Sequence, residues 1–453
     1  MRTIVTILVM LAFAEAGQAA TRNNDDSCDI SVVPAATLLL PFFDVTVERG
    51  PFGNDNTLFT ITNVSSVDQI AHVTVWTDWA YPLLAFNVLL TGYDVQAINL
   101  YDVLVHGTIG PRDPAPLHGV TRGSTPRASG SNPNIVDDCA DAPGILPPMM
   151  MEDIRRALTT GLYLAPGTCT VRDRVGGTHS NARGYLTIDV VSGCTNEFPT
   201  SVTYYDRDLL FDNVLIGDYQ QINSDPAMGN LAQGNPMVHI RAIPEGGPAG
   251  SFSVTNLPYT FYDRYTTLAA HRRFDRRQPL PSTFAARWIE SGVSARTNYK
   301  IWREGLSIGE QNCRVPFSNS AMEIAEIIRF DEHENSFGRL THCGGVVIAC
   351  RFGTLPASST TSTSLINIYP PNWSSPDVAG WMYLNLDNFI RPISAPPRYT
   401  SPPPGTSYRA SQNWVVVSMY AQGRYAVDFD AAMLGNGCSP RELAPSPGIG
   451  PAQ

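Results

Sequence analysis

Trp76, Asp78, Trp79 and Tyr81 put three aromatic rings and a carboxylate into one short stretch. Rings that stack on a sugar's apolar face, with an acid to accept from its hydroxyls, would make a glycan platform. The competing reading makes Trp76 a core residue with the others at its rim, since aromatic side chains mostly serve cores and interfaces. Tyr369 and Trp373 beside Asn372 are a thinner version of the same pattern. Asp331, Glu332 and Glu334, in the run Asp331-Glu332-His333-Glu334-Asn335, concentrate oxygen ligands suited to calcium, or to zinc if His333 takes part. The calcium-hand spacing with its glycine is missing, as is H-E-x-x-H, so a charged surface turn competes with a metal site. Asp428 and Asp430 stand two apart and read as the solvent face of a strand.

Arg264, Arg272, Arg273, Arg276, Arg277 and Arg287, with His271, form the densest basic cluster. Guanidinium groups pair bidentately with carboxylates or phosphates, so the cluster is a candidate grip for an acidic polymer, an anionic lipid surface or an acidic patch on another subunit. Pairing with the chain's own excess of carboxylates is the weightier reading. For nucleophilic catalysis, G-x-S-x-G is absent, and the eight histidines sit in no recognisable triad context, although a triad is defined by geometry and not by order. Lys300 is the single lysine, so the other 30 of the 31 basic residues are arginine, a bias we read as codon usage. With Thr297 at the serine position, S-x-x-K is absent, as is the lysine-bearing phosphate loop, and Schiff-base chemistry would rest on Lys300 alone. An enzyme is therefore the minority reading.

The elements that must position these residues follow from composition and pattern. Of 453 residues, 36 are Gly, 36 are Pro and 16% are charged. Average usage is about 25% charged, 7% Gly and 5% Pro, so long solvated helices are disfavoured. The 43% hydrophobic content suffices for a core, and the net charge of -10 is the wrong sign for a dedicated nucleic-acid binder. Residues 1–20 read as a secretory signal, with Arg2, the apolar run Ile4 to Phe13 and a small-residue cleavage site; the run is too short to span a bilayer. No later stretch supplies a transmembrane segment, so the expected location is periplasmic, cell-surface or extracellular. Cys28, Cys139, Cys169, Cys194, Cys313, Cys343, Cys350 and Cys438 make an even set without C-x-x-C, which in an exported chain favours disulfides over metal. Their connectivity is open; Cys28 with Cys438 and Cys169 with Cys194 are candidate pairs.

Short apolar runs recur between turn clusters: Thr37 to Val47, Thr57 to Val64, Ala71 to Trp76, Leu83 to Leu90, Gly184 to Val191, Asn213 to Ile222 and Met237 to Ile243. Later runs are Asn298 to Arg303, Met322 to Phe330, Gly345 to Phe352, Leu365 to Tyr369, Trp381 to Leu386, Trp414 to Tyr420 and Tyr425 to Ala431, the last two forming a hairpin. Met322 to Phe330 fits a helix nearly as well. Helices are expected from Pro147 to Gly161, with Glu152 and Asp153 near its start to suit the dipole, and from Ser282 to Glu290, where Phe284 and Trp288 are four apart. The expected fold is all-β and mainly antiparallel: two β-sandwiches, immunoglobulin-like or of jelly-roll type, with a few short helices and long Pro/Gly-rich loops. The expected organisation is a signal peptide (1–20), an N-terminal β-sandwich region (21–292) with a loop insertion at 106–147, a C-terminal β-sandwich (293–440) and a flexible tail (441–453).

These features together suggest a secreted or cell-surface, non-enzymatic protein that acts by binding or self-assembly, adhesin-like or as a structural or filament component. One version has Ile30 to Phe43 completing a neighbour's sheet. The alternative is a carbohydrate-binding or carbohydrate-active secreted protein using Trp76, Trp79 and nearby acids; a calcium-dependent adhesin using Asp331 to Asn335 is the third. No cofactor is expected beyond a possible calcium. The expected partners are a second copy, another surface protein or a glycan, and not nucleic acid.

Overall fold

A computed structural model describes residues 30–48, 55–109, 127–128, 144–163, 174–195, 197–199, 204–223, 232–242, 245–246, 277–278, 280–281, 283–290, 295–303, 326–341, 360–364, 378–386, 412–421 and 425–434. Those residues are mostly antiparallel β-structure in several sheets, as the all-β reading expects. The signal segment, the tail, seven of the eight cysteines, and the runs Gly345 to Phe352 and Leu365 to Tyr369 lie outside them.

The principal sheet has six strands in the order β12-β1-β9-β3-β4-β7: Val238–Ile240, Thr37–Val45, Ala182–Val191, Gln69–Thr77, Pro82–Leu90 and Arg127–Ala128. β1, β3, β4 and β9 are buried along almost their whole length. Continuous burial means that both faces are covered, which is why these runs read as unbroken apolar stretches and not as alternation. A four-stranded sheet, β11-β10-β2-β5 (Ala232–Pro236, Leu215–Ile222, Asn56–Asn63, Val95–Asn99), covers one face. β2 alternates strictly, and its Phe59 and Ile61 share a core with Leu38 and Leu40 of β1 and with Val73 and Val75 of β3.

α1 (Pro148–Thr160) joins the same core through Ile154, Ala157 and Leu158. Its start is set by proline and its end by Gly161, at φ 70°, whose N–H reaches Ala157 O at 3.1 Å. A Cβ at Gly161 would stand 2.0 Å from the Gly176 carbonyl oxygen, so no other residue fits that turn without a shift. Glu152 and Asp153 lie beyond the first turn. They pair with Arg155 and Arg156 at 2.8 and 2.6 Å in place of the dipole role expected for them. The excursion after His106 is closed at its base, where β6 (Thr108–Ile109) pairs with β8 (Gly144–Ile145).

The chain after residue 282 builds two further sheets. One runs β16-β15-β18-β13-β21 (Ser336–Thr341, Glu326–Asp331, Ala379–Asn385, Thr283–Ile289, Ala432–Met433), the other β17-β14-β19-β20 (Thr360–Ser364, Ala295–Arg303, Asn413–Ala421, Tyr425–Asp430). The helix expected over Ser282 to Glu290 is thus strand β13. Phe284 and Trp288, four apart, fit either period, but Ala286 is buried between them while Arg287 is exposed, which is the two-residue repeat of a strand. β13 pairs with β18 and β21, placing this strand with the C-terminal sheets. The ambiguous run ending at Phe330 is also a strand, β15. A shared core unites Phe284, Trp288, Tyr299, Ile301, Leu384 and Val415, and the Arg329 guanidinium lies 4.1 Å from the Trp288 ring centroid.

The uncovered face of the principal sheet meets β14 and β19. Leu39, Trp76, Tyr185 and Ile240 pack with Trp302, Trp414 and Val416. Tyr185 stacks on Trp76, with centroids 5.6 Å apart, and takes the edge of Trp302 at 5.9 Å. Thr360 seals this contact by donating to Pro41 O at 2.8 Å and, through its N–H, to Asp78 O at 3.1 Å. Replacing the fully buried Trp302 by Ala is expected to lower unfolding free energy by about 3–5 kcal/mol in denaturant titration. Tyr93→Ala, at a side chain 71% exposed, should change it by no more than about 0.5 kcal/mol.

Candidate functional site

The residues singled out from sequence are not brought together. Trp76 is fully buried, its indole N–H donating to Thr187 Oγ1 at 2.8 Å. Tyr81 is buried against Tyr163, with centroids 5.7 Å apart, and Trp79 is half-buried. Asp78 is 4% exposed; it accepts from the Gly177 N–H at 3.0 Å and meets His179 Nε2 at 2.8 Å. The expected open platform is therefore corrected: two of its three rings belong to the interior, and its carboxylate fixes the glycine turn after residue 174.

Asp331 closes the β15–β16 turn. Its Oδ1 accepts from the N–H groups of His333 and Asn335, both at 2.8 Å, and its Oδ2 from the Asn335 side chain at 2.9 Å. The Asn335 amide, ahead of the backbone donors, holds the Asp331 carboxyl below its ordinary range. Glu332 reaches outward to Arg287 at 3.4 Å, and Glu334 occupies the left-handed region at φ 64°. Of the acids expected to ligate calcium, Asp331 has its oxygens occupied in shaping a hairpin turn. Among the described residues, no three His, Cys, Asp or Glu side chains are grouped to hold a metal ion.

Of the arginine cluster, Arg264, Arg272, Arg273 and Arg276 lie outside the described residues. Arg277 is fully buried, 3.6 Å from Asp189, so its place in an outward-facing anion grip is corrected to an internal ion pair. Asp189 accepts as well from Thr37 Oγ1 at 2.6 Å and from the Tyr204 hydroxyl at 2.7 Å. Register explains the gathering: Asn87, His72, Asp189 and Thr37 are successive partners across β4, β3, β9 and β1. His72 Nδ1 meets Asn87 Oδ1 at 2.8 Å. Burial, outweighing that contact, pushes the His72 imidazole below its ordinary value, so it is neutral at neutral pH. Cys194, the one cysteine among the described residues, stands just beyond β9.

The most unusual chemistry lies at the joint between the two halves of the chain. Lys300 projects from β14 on the face that carries Trp302, and its ammonium donates to Asp428 Oδ2 at 2.5 Å and to Gln221 Oε1 of β10. Lys300, Val416 and Asp430 lie in one row across β14, β19 and β20; Asp428 is two residues before Asp430 on the same face. The solvent-facing assignment of Asp428 and Asp430 is corrected accordingly: Asp428 is buried and Asp430 half-buried. One cation beside two acids leaves an excess negative charge in a poorly hydrated place. Burial pushes Asp430 up to about 6; the Trp414 N–H, 2.9 Å from its Oδ1, opposes this, and Asp428 adds to it. Burial, then Asp430 and Asp428, raise the Tyr219 hydroxyl well above its ordinary value. Strongly perturbed groups held together by specific partners mark either a functional centre or a structural network. Sequence reasoning missed this group, although its signal was present: the lone lysine, and two aspartates inside an otherwise apolar hairpin.

No protein-family profile matches the chain, and comparisons with curated proteins and with solved structures find no significant match.

Because folding raises the Asp430 value from 3.8 to about 6, the folded state binds the extra proton in that interval. This contribution to stability is fully present below the unfolded value and is lost as pH rises through about 6. The ceiling is about 2–3 kcal/mol, less what solvent screens. Unfolding free energy measured from pH 4 to pH 8 is expected to carry this downward component, and Asp430→Asn to flatten it; an identical pH profile in the variant would contradict the assignment.

Proposed function

We propose that the protein is an exported, disulfide-bearing structural or adhesin-like protein that works through assembly or surface binding and not through catalysis. On this reading the sheets form two sandwiches of immunoglobulin-like or jelly-roll type, locked together into one rigid element. The observation that carries it is where the scarce charge goes. Lys300, Asp428, Asp189, Arg277 and Arg329 are all buried between or within the sheets. Burying charge is costly unless it is paired, and breaking such pairs loosens the contact they hold, so their placement favours mechanical unity of the chain. Among the described residues no helix is long and apolar enough to cross a membrane.

Strand donation from residues 30–43 has to be reframed within this proposal. β1 is already central in its own sheet, paired with β12 on one side and β9 on the other, so its deletion would unfold the domain before it informed on assembly. A glycan-binding role loses its stacking surface with the burial of Trp76 and Tyr81. Light scattering on the purified mature chain is expected to report particles heavier than one chain, and a polysaccharide hydrolysis screen to be blank. A monomer that releases sugar from a polysaccharide would overturn the proposal in favour of a carbohydrate-active protein.

A further inference from the structure

The chain uses arginine at every basic position except residue 300. At that position, arginine would supply the same charge and a better fork for a carboxylate. What it cannot supply is a nucleophilic nitrogen; a lysine amine, once neutral, can. Lys300 also meets a buried carboxylate, that of Asp428, at 2.5 Å, with a second acid on the same face of the same strand. We propose that Lys300 and Asp428 are joined by an intramolecular amide, a covalent link from β14 to β20 that the folded chain makes for itself, with Asp430 as the proton carrier. The proposal rests on this geometry and requires no assembly or surface role, although both readings draw on the burial of Lys300 and Asp428.

The chemistry balances without any co-reactant. A proton moves from the ammonium to the Asp428 carboxylate, leaving a neutral amine facing a neutral acid. Nζ attacks Cγ, the Nζ–Cγ bond forms, the C–OH bond breaks, and one water leaves. Asp430 takes the proton shed by nitrogen and gives it to the departing oxygen. Ammonium plus carboxylate thus become secondary amide plus water, with no change of oxidation state. Three features favour the step. Both groups are buried, which keeps bulk water, the competing nucleophile at Cγ, away from them. The sheet holds the reacting groups in contact, replacing a bimolecular encounter by an intramolecular one. Asp430, held above the usual carboxylate range, is suited to both accepting and returning a proton near neutral pH. Gln221 Oε1, already an acceptor for Nζ, remains in place to accept from the amide N–H of the product.

The test is mass spectrometry of the full mature chain, reduced and denatured. The intact mass is expected to fall short of the sequence mass by one water. Trypsin should then fail to cut after Lys300, giving Thr297–Arg303 joined to Tyr425–Arg441. Lys300→Arg, which keeps the charge, is expected to restore the full mass. Asp430→Asn, which keeps the shape, should slow linkage by about 100-fold, read as the linked fraction against time after refolding. A folded wild-type chain with full mass and normal cleavage after Lys300 would overturn the link. Loss of water that persists in Lys300→Arg would overturn it equally, and unchanged linkage in Asp430→Asn would remove Asp430 from the step.

Discussion

The structure depends on a sheet that is covered on both faces. Once the sheet of β1, β3, β4 and β9 is enclosed by β2 and β10 on one face, and on the other by β14 and β19 at one end and the Tyr204 to Phe211 segment at the other, its polar side chains must find partners inside the protein. The row Asn87, His72, Asp189 and Thr37 meets most of that demand, extended by Tyr204 and Arg277 from outside the sheet, while among the described residues His72 Nε2 and Thr74 Oγ1 are buried without a hydrogen bond. A cross-strand row is the natural form for such a network, because side chains facing each other on neighbouring strands are within bonding reach. It also ties the pairing register to chemistry: sliding one strand by a single residue would strand a carboxylate in the apolar core.

The same constraint governs the joint between the halves. Aromatic contacts of Trp302 with Tyr185 supply area, while Lys300, Asp428 and Gln221 supply direction. Area alone would tolerate rotation of one sheet on the other. A paired charge fixes a single arrangement, at a desolvation cost that the apolar contact around it must offset.

How much of this was legible in the sequence differs with the kind of signal. The strands of the principal sheet were readable because doubly buried strands are unbroken apolar runs; β1, β3, β4 and β9 match expectation to within a few residues. The polar strands β5 and β11 carry no such pattern and were missed. β13 was read with the wrong period because Phe284 and Trp288 satisfy both. The site residues fared worse, since chemistry was sought in local clusters. Asp331 to Asn335 is a cluster because the chain reversal there uses Asp331 as its acceptor, and Trp76 to Tyr81 because the core takes Trp76 and Tyr81 while Asp78 holds the glycine turn. Lys300 and Asp428, 128 residues apart, meet only through the pairing of β14 with β19 and of β19 with β20. Local windows are blind to such a meeting; the rarity of lysine and the two aspartates of an apolar hairpin pointed to it.

The two residues of β7 acquire a larger meaning in this light. They pair with Phe86 and Asn87, on the side of β4 away from β3. β4 is Pro-Leu-Leu-Ala-Phe-Asn-Val-Leu-Leu, and an exposed edge of that composition is a template for aggregation. β7 therefore serves as an insulator. By laying a short length of backbone along this apolar strand, it keeps the protein's own core sequence from recruiting strangers.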